Sequence, residues 1–152
     1  MTEMRKDIGT TIVRILEDWA MMLAEPALEN STKVFNPEMP CYVAYLKFKG
    51  VVNGQYSVIC QEGFARILAA NLIGEDENNS DSERMDALRE MANVIGGNLL
   101  TTKWGEDTAF DLSSPNVELM SLEKADEYFH NQAFCYLAEE QPVAVTFTLT
   151  KD

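Results

Sequence analysis

Cysteine, histidine and positive charge are all scarce in this chain of 152 residues. Its three cysteines, Cys41, Cys60 and Cys135, are odd in number, far apart and set in apolar, strand-like segments. Without paired spacing they read as small buried hydrophobes, not as disulfide partners or zinc ligands. His130 is the single histidine, flanked by Phe129 and Asn131. Those neighbours supply no supporting motif, which argues against a transition-metal centre and against Ser-His-Asp or Cys-His catalysis. It reads as a surface or strand-edge residue. No run approaches the ~18 apolar residues of a membrane span. The N-terminal segment enters an amphipathic pattern instead of the apolar core of a signal peptide. A glycine-rich phosphate loop, an internal repeat and a domain boundary are also missing. One cytoplasmic domain across residues 1–152 is the expectation.

What is abundant is negative charge. Twelve basic residues against twenty-five acidic ones leave a formal net charge of −13. Such a field repels phosphate backbones and anionic lipid, so neither nucleic acid nor a membrane is an expected partner. A partner offering positive charge is favoured. Hydrophobic residues at 46% and charged residues at 24% are otherwise those of an ordinary globular protein.

The periodicity changes several times along the chain. Ile8, Ile12, Ile15, Leu16, Trp19, Met22 and Leu23 share one helical face, predicting a helix of about five turns that Glu25-Pro26 stops. Pro26, Pro37 and Pro40 mark residues 26–40 as a connecting loop. From Cys41 to Cys60 the period becomes two, with Tyr42, Ala44, Leu46 and Phe48 on one side. Asn53-Gly54 carries the signal of a two-residue hairpin turn. Helical spacing returns from Glu62 to Ile73, and Gly74 suits the helix end. Residues 75–83 hold no apolar side chain and read as a solvated loop. Ser80 and Glu83 form a capping box for a helix from about Asp81 to Thr102. Beyond it, a short strand at 110–115 extends through 117–122, residues 124–132 connect, and strands follow at 134–138 and 143–150. A turn over Glu139 to Pro142 joins that last pair. This order predicts an α+β fold, with helices packed against a largely antiparallel sheet.

The helix from Asp81 is the most informative stretch. Leu88, Met91, Ala92, Ile95 and Leu99 cluster on one side at 100° per residue. Asp86, Glu90, Asn93 and Gly97 fall on the other, at offsets of four, three and four residues. Glu-x-x-Asn alone is a weak signal, since Glu75-x-x-Asn78 repeats the spacing inside the acidic loop. Any surface helix also displays polar residues. The glycines add weight. Gly96-Gly97 inside a continuing helix costs about 1 kcal/mol per glycine relative to alanine, and a helix that carries this cost often admits a close approach by another surface. Gly97 lies on the polar line, whereas Gly96 points sideways, toward internal packing.

Asp86, Glu90 and Asn93, followed by Gly97-Asn98, resemble the signature of the CheC/CheX/FliY chemotaxis phosphatases. The helix Phe64–Gly74, the acidic spacer and the segment Phe110-Asp-Leu-Ser-Ser-Pro115 stand in CheX-like order. CheC-type members carry the motif on two helices. Here the first helix holds Glu17 without Glu-x-x-Asn, so CheX is the nearer relative. Gly96 stands where many relatives have alanine, and Arg89 beside Glu90 is a second departure.

The resemblance implies a CheX-like single domain that hydrolyses the aspartyl phosphate of a CheY-like receiver. Asn93 and Glu90 would be catalytic. Asn93 would hold the attacking water, because a carboxamide both donates and accepts hydrogen bonds. Glu90 would reach the receiver's active-site lysine. Asp86, Arg89 and Gly97 would meet the partner surface. No cofactor is expected in this chain, and the divalent metal is expected on the receiver. The resemblance also implies a homodimer whose sheet continues between subunits, with strand 143–150 as the pairing edge. A non-catalytic receiver-binding or flagellar-switch-like module is the alternative.

Overall fold

A computed structural model of the chain describes residues 2–26, 35–74, 76, 78–130 and 134–150. The first helix, α1 (Thr2–Asp18), seats Ile8, Ile12, Ile15 and Leu16 in the core. It stops one turn and a half before the expected end. The amides of Trp19 and Ala20 donate to the Ile15 carbonyl, that of Met22 donates to the Leu16 carbonyl, and Met21 turns left-handed at φ 56°. Met22 is buried as the spacing predicts, but Leu23 is 71% exposed, off the apolar stripe. Residues Ala24–Pro26 form β1, a short edge strand on which proline's missing amide costs no ladder bond. Part of the predicted 26–40 loop, residues 27–34, lies outside the described residues.

Strands β2 (Cys41–Lys49) and β3 (Asn53–Gln61) form the hairpin, with Phe48 opposite Gly54. Asn53 and Gly54 are therefore ladder residues, and the turn is made by residues 50–52. The Asn53 Oδ1 accepts the Gly50 amide across that turn at 3.3 Å. Gly54 is needed for packing: a Cβ there would sit 2.5 Å from the Phe48 ring and 2.4 Å from the Thr148 carbonyl. Next come α2 (Glu62–Ile73), closed by Gly74 at φ 81°, and α3 (Asp81–Trp104).

Strands β4 (Asp111–Leu112) and β5 (Asn116–Met120) both pair with the outer side of β2. The expected connector at 124–132 is largely a helix, α4 (Leu122–His130), with residues 131–133 outside the described set. Its buried Ala125 meets Cys41, Ile59 and Ala144 from three different strands, a surface that no local pattern announces. His130 ends α4, and its side chain lies outside the described residues. Cys41 and Cys60 are buried free thiols, and Cys135 is half-buried. Burial pushes the Cys41 and Cys60 pKa values up, as expected of inert core cysteines.

The chain closes with β6 (Phe134–Ala138) and β7 (Gln141–Thr150), joined by Glu139 and Glu140 at φ 48° and 67°. Gln141 and Pro142 belong to the ladder, not to the turn. All pairings are antiparallel, in the order β1-β6-β7-β3-β2, with β4 and β5 beyond. β7 is therefore interior, not an edge. It pairs with β3 over 143–150 and with β6 over 141–145, leaving only Thr146–Thr150 without a second neighbour among the described strands. Helices α1, α2 and α3 cover one face of this sheet in a shared apolar core, with α4 on the other face. No described helix is long and apolar enough to cross a membrane.

Candidate functional site on helix α3

Local chemistry fixes where α3 begins. The Glu83 amide donates to Ser80 Oγ at 3.2 Å and the Ser80 amide donates to Glu83 Oε1 at 2.8 Å, the reciprocal capping box. These hydrogen bonds hold the Glu83 carboxyl below its ordinary pKa. A second anchor was not legible in the sequence. Arg84, nearly buried, donates from Nε to Asn79 Oδ1 at 2.7 Å and from Nη1 to Asp81 at 2.8 Å and Glu62 at 3.3 Å. Asn79 in turn donates to the Arg66 carbonyl at 2.9 Å. Asn79 is thus a buried, structured residue within the polar spacer. The clasp ties the start of α3 to α2.

From there the helix lies on the sheet. Leu88, Met91, Ala92, Ile95 and Leu99 are each at most 1% exposed. At ~1.5–3 kcal/mol for each large apolar side chain, this face fixes the rotation of the helix. The opposite face is consequently turned to solvent: Asp86, Glu90 and Asn93 are exposed in line along it. Asp86 and Arg89 form an exposed ion pair at 2.9 Å, three residues apart, of the kind worth a few tenths of a kcal/mol. No side-chain hydrogen bond or ion pair among the described residues engages Glu90 or Asn93, so both present their full polar capacity outward. Asn98 differs, because its amide turns back to donate to the Val94 carbonyl at 2.7 Å.

The adjacent glycines have separate reasons. A Cβ on Gly97 would meet nothing within 4 Å, so the surface there is open. A Cβ on Gly96 would lie 2.5 Å from the ring of Tyr56 on β3. Gly96 is thus a notch on the inner side of the helix, filled by a tyrosine that is 1% exposed. Sequence reading did not find Tyr56, because its partner lies forty residues away. Electrostatically, the outer face is acidic at its start and uncharged around Asn93, Gly97 and Asn98. Asn93 can hold a water, Glu90 can accept from a cationic donor, and Gly97 leaves room for an approaching surface.

Helices packed on an antiparallel sheet are the architecture this chain shares with solved CheX and CheC-like structures. The chain belongs to the family described as chemotaxis phosphatase CheX, whose model matches residues 42–139. Solved structures share the fold. A CheX from Desulfovibrio desulfuricans is 20% identical with a TM-score of 0.70, covering 97% of this chain and 99% of that one. CheX from Vibrio vulnificus is 15% identical with a TM-score of 0.68, covering 97% of each chain. The CheX–CheY–BeF3–Mg complex from Borrelia burgdorferi is 18% identical at a TM-score of 0.61, covering 99% of this chain and 97% of that chain. No curated protein matches the chain by sequence.

Proposed function

We propose that this chain is a single-domain cytoplasmic phosphatase for the aspartyl phosphate of a CheY-like receiver, using α3 as the inserted element. The observation that carries this reading is the pairing of Glu90 and Asn93. Both are exposed on one face of a rigidly seated helix, and neither is engaged by another described side chain. Membership of the CheX family and the fold shared with the CheX–CheY complex support it.

Little is needed from such a protein chemically. Phosphoryl transfer through a loose transition state depends on an in-line nucleophile and on charge stabilisation more than on a protein nucleophile. The divalent cation and a lysine belong to the receiver; this chain needs no cofactor. Asn93 supplies the missing part, a water held in line, its Oδ1 accepting a hydrogen bond from the water and its Nδ2 donating one to the water oxygen. Glu90, one turn earlier, meets the receiver's lysine and sets the register. Asp86 and Arg89 flank that contact, and Gly97 keeps the approach clear.

The deciding measurement is loss of acyl phosphate from phosphorylated receivers with and without the protein. Asn93→Ala is expected to retain receiver binding while losing accelerated decay, and Glu90→Ala to weaken both. Unchanged decay with Asn93→Ala would remove Asn93 from this role. Binding by the native chain without faster decay would identify the non-catalytic adaptor instead. A homodimer belongs to the same reading, and Thr146–Thr150 of β7 offers its open edge. Light scattering at twice the mass of the chain is the expected result.

A further inference from the structure

The notch in α3 lies close to the residue on which the proposed chemistry turns. Gly96 follows Asn93 by three residues, a rise of about 4.5 Å and a step of about 60° around the axis. Asn93 is exposed, whereas Gly96 is buried against the sheet. Both belong to one short, hydrogen-bonded piece of helix. A displacement of Gly96 away from the sheet therefore carries Asn93 with it.

The sheet leaves little slack at this point. A Cβ on Gly96 would stand 2.5 Å from Cε1 of Tyr56 and 3.2 Å from its Cδ1 and Cζ. The Tyr56 ring is buried, with the buried Leu46 and half-buried Phe147 as its cross-strand neighbours on the same face. Phe147 is itself stacked on Phe48 at 5.4 Å. Carbon atoms pack at about 3.5–4 Å, so room for a methyl group requires α3 to rise by about 1 Å. The helix is held at both ends. Arg84 ties its start to Asn79 and Glu62, and Trp104 at its end lies against Phe48, Phe110 and Phe147. A lift between two fixed ends bows the middle, where Asn93 stands.

We infer that Tyr56 is a positioning residue for the phosphatase reaction: its ring edge, seated in the Gly96 notch, sets the height of Asn93 above the sheet and so the place of the water Asn93 holds. This rests on the phosphatase reading above. In-line attack tolerates little error, since a misplacement of about 1 Å can cost about a hundredfold in rate. Docking is less sensitive, because a standard interface spreads contact over about 800 Å² per partner. Glu90 also lies farther from the notch, about 9 Å from Gly96 along the axis. The Tyr56–Gly96 contact therefore acts on kcat and leaves KM in place.

The test is loss of acyl phosphate from CheY charged with acetyl phosphate, read as kcat and KM at a temperature where circular dichroism shows each variant folded. Gly96→Ala lifts the helix, and Tyr56→Leu lets it settle toward the sheet. Each is expected to lower kcat about tenfold or more while KM stays within about twofold. The double variant places the methyl group in space the ring has left, and its kcat is expected to recover to within about threefold of native. A merely structural contact would lower the melting temperature and leave the kcat of the folded protein unmoved. With the native chain active, unchanged kcat in either folded single variant overturns the inference alone; if Gly96→Ala does not fold, Tyr56→Leu decides. A loss that the double variant does not recover, or a rise in KM at unchanged kcat, likewise overturns it. Inactivity and absent receiver binding of the native chain overturn the phosphatase reading with it.

Discussion

The ring of Tyr56 on the central strand β3 fills the space that a Cβ of Gly96 on α3 would occupy, 2.5 Å from its Cε1. The contact lies just under one turn beyond Asn93 and about 60° around the helix from it, on the flank that meets the sheet. It therefore sets how closely α3 rests on the sheet beneath the residues proposed to act on a receiver. Tyr56 is buried, and burial raises its phenol pKa while the Gly96 backbone beside it acts in the opposite sense.

Gly96→Ala should destabilise the protein despite the residue's better helix propensity. Overpacking costs about 1–3 kcal/mol, against a propensity gain of about 1 kcal/mol. Denaturant melts of Gly96→Ala and of Gly96→Ala combined with Tyr56→Leu check this. The smaller residue should make the added methyl less costly, and additive effects would contradict a direct contact.

Gly97→Ala should behave in the opposite way. Space is open there and the backbone is helical, so stability should rise by about 1 kcal/mol. Gly97→Gln should leave the fold intact but obstruct the partner. A receiver titration showing unchanged affinity for Gly97→Gln would dismiss the clearance role.

The start of α3 gives a pH-dependent prediction. Glu83 is held below its ordinary pKa by the Ser80 hydrogen bonds. A carboxyl depressed in the folded state contributes stability that is complete above its unfolded value, near 4.5, and is lost as pH falls through the lower folded value. Ser80→Ala should cost about 1 kcal/mol at neutral pH. That difference should shrink in melts taken progressively below pH 4.5.

Arg84→Ala should be among the more damaging changes to a charged residue. It leaves Asn79 Oδ1 without the Arg84 donor and removes the bridge to Glu62 and Asp81. Hydrogen bonds to charged groups are worth about 1.5–3 kcal/mol, so a loss of about 2–3 kcal/mol is expected. Thermal unfolding measures it. Asp86→Ala, which removes only an exposed pair, should change stability by under about 0.5 kcal/mol.

Much of the candidate site was legible because it lies on one helix. A 3.6-residue period places Asp86, Glu90, Asn93 and Gly97 together whatever the rest of the chain does, and the Ser80–Glu83 box sets their start. Both are relationships within a few residues. The alternation of β2 and β7 is of the same kind. The errors arose wherever a local signal served a distant contact. Asn53-Gly54 reads as a turn, yet Gly54 is there because Phe48 and the β7 backbone crowd it. The first helix reads as running to Glu25, yet pairing with β6 takes Ala24–Pro26 into the sheet. Strand 143–150 reads as an edge, yet β3 and β6 enclose its first half. By itself, then, the sequence determined which side chains share a face, since that follows from backbone geometry. Only the tertiary structure decided which face is buried by what: Tyr56 beneath Gly96, α2 against Arg84, open space over Gly97. Those depend on volumes and partners brought together from far along the chain.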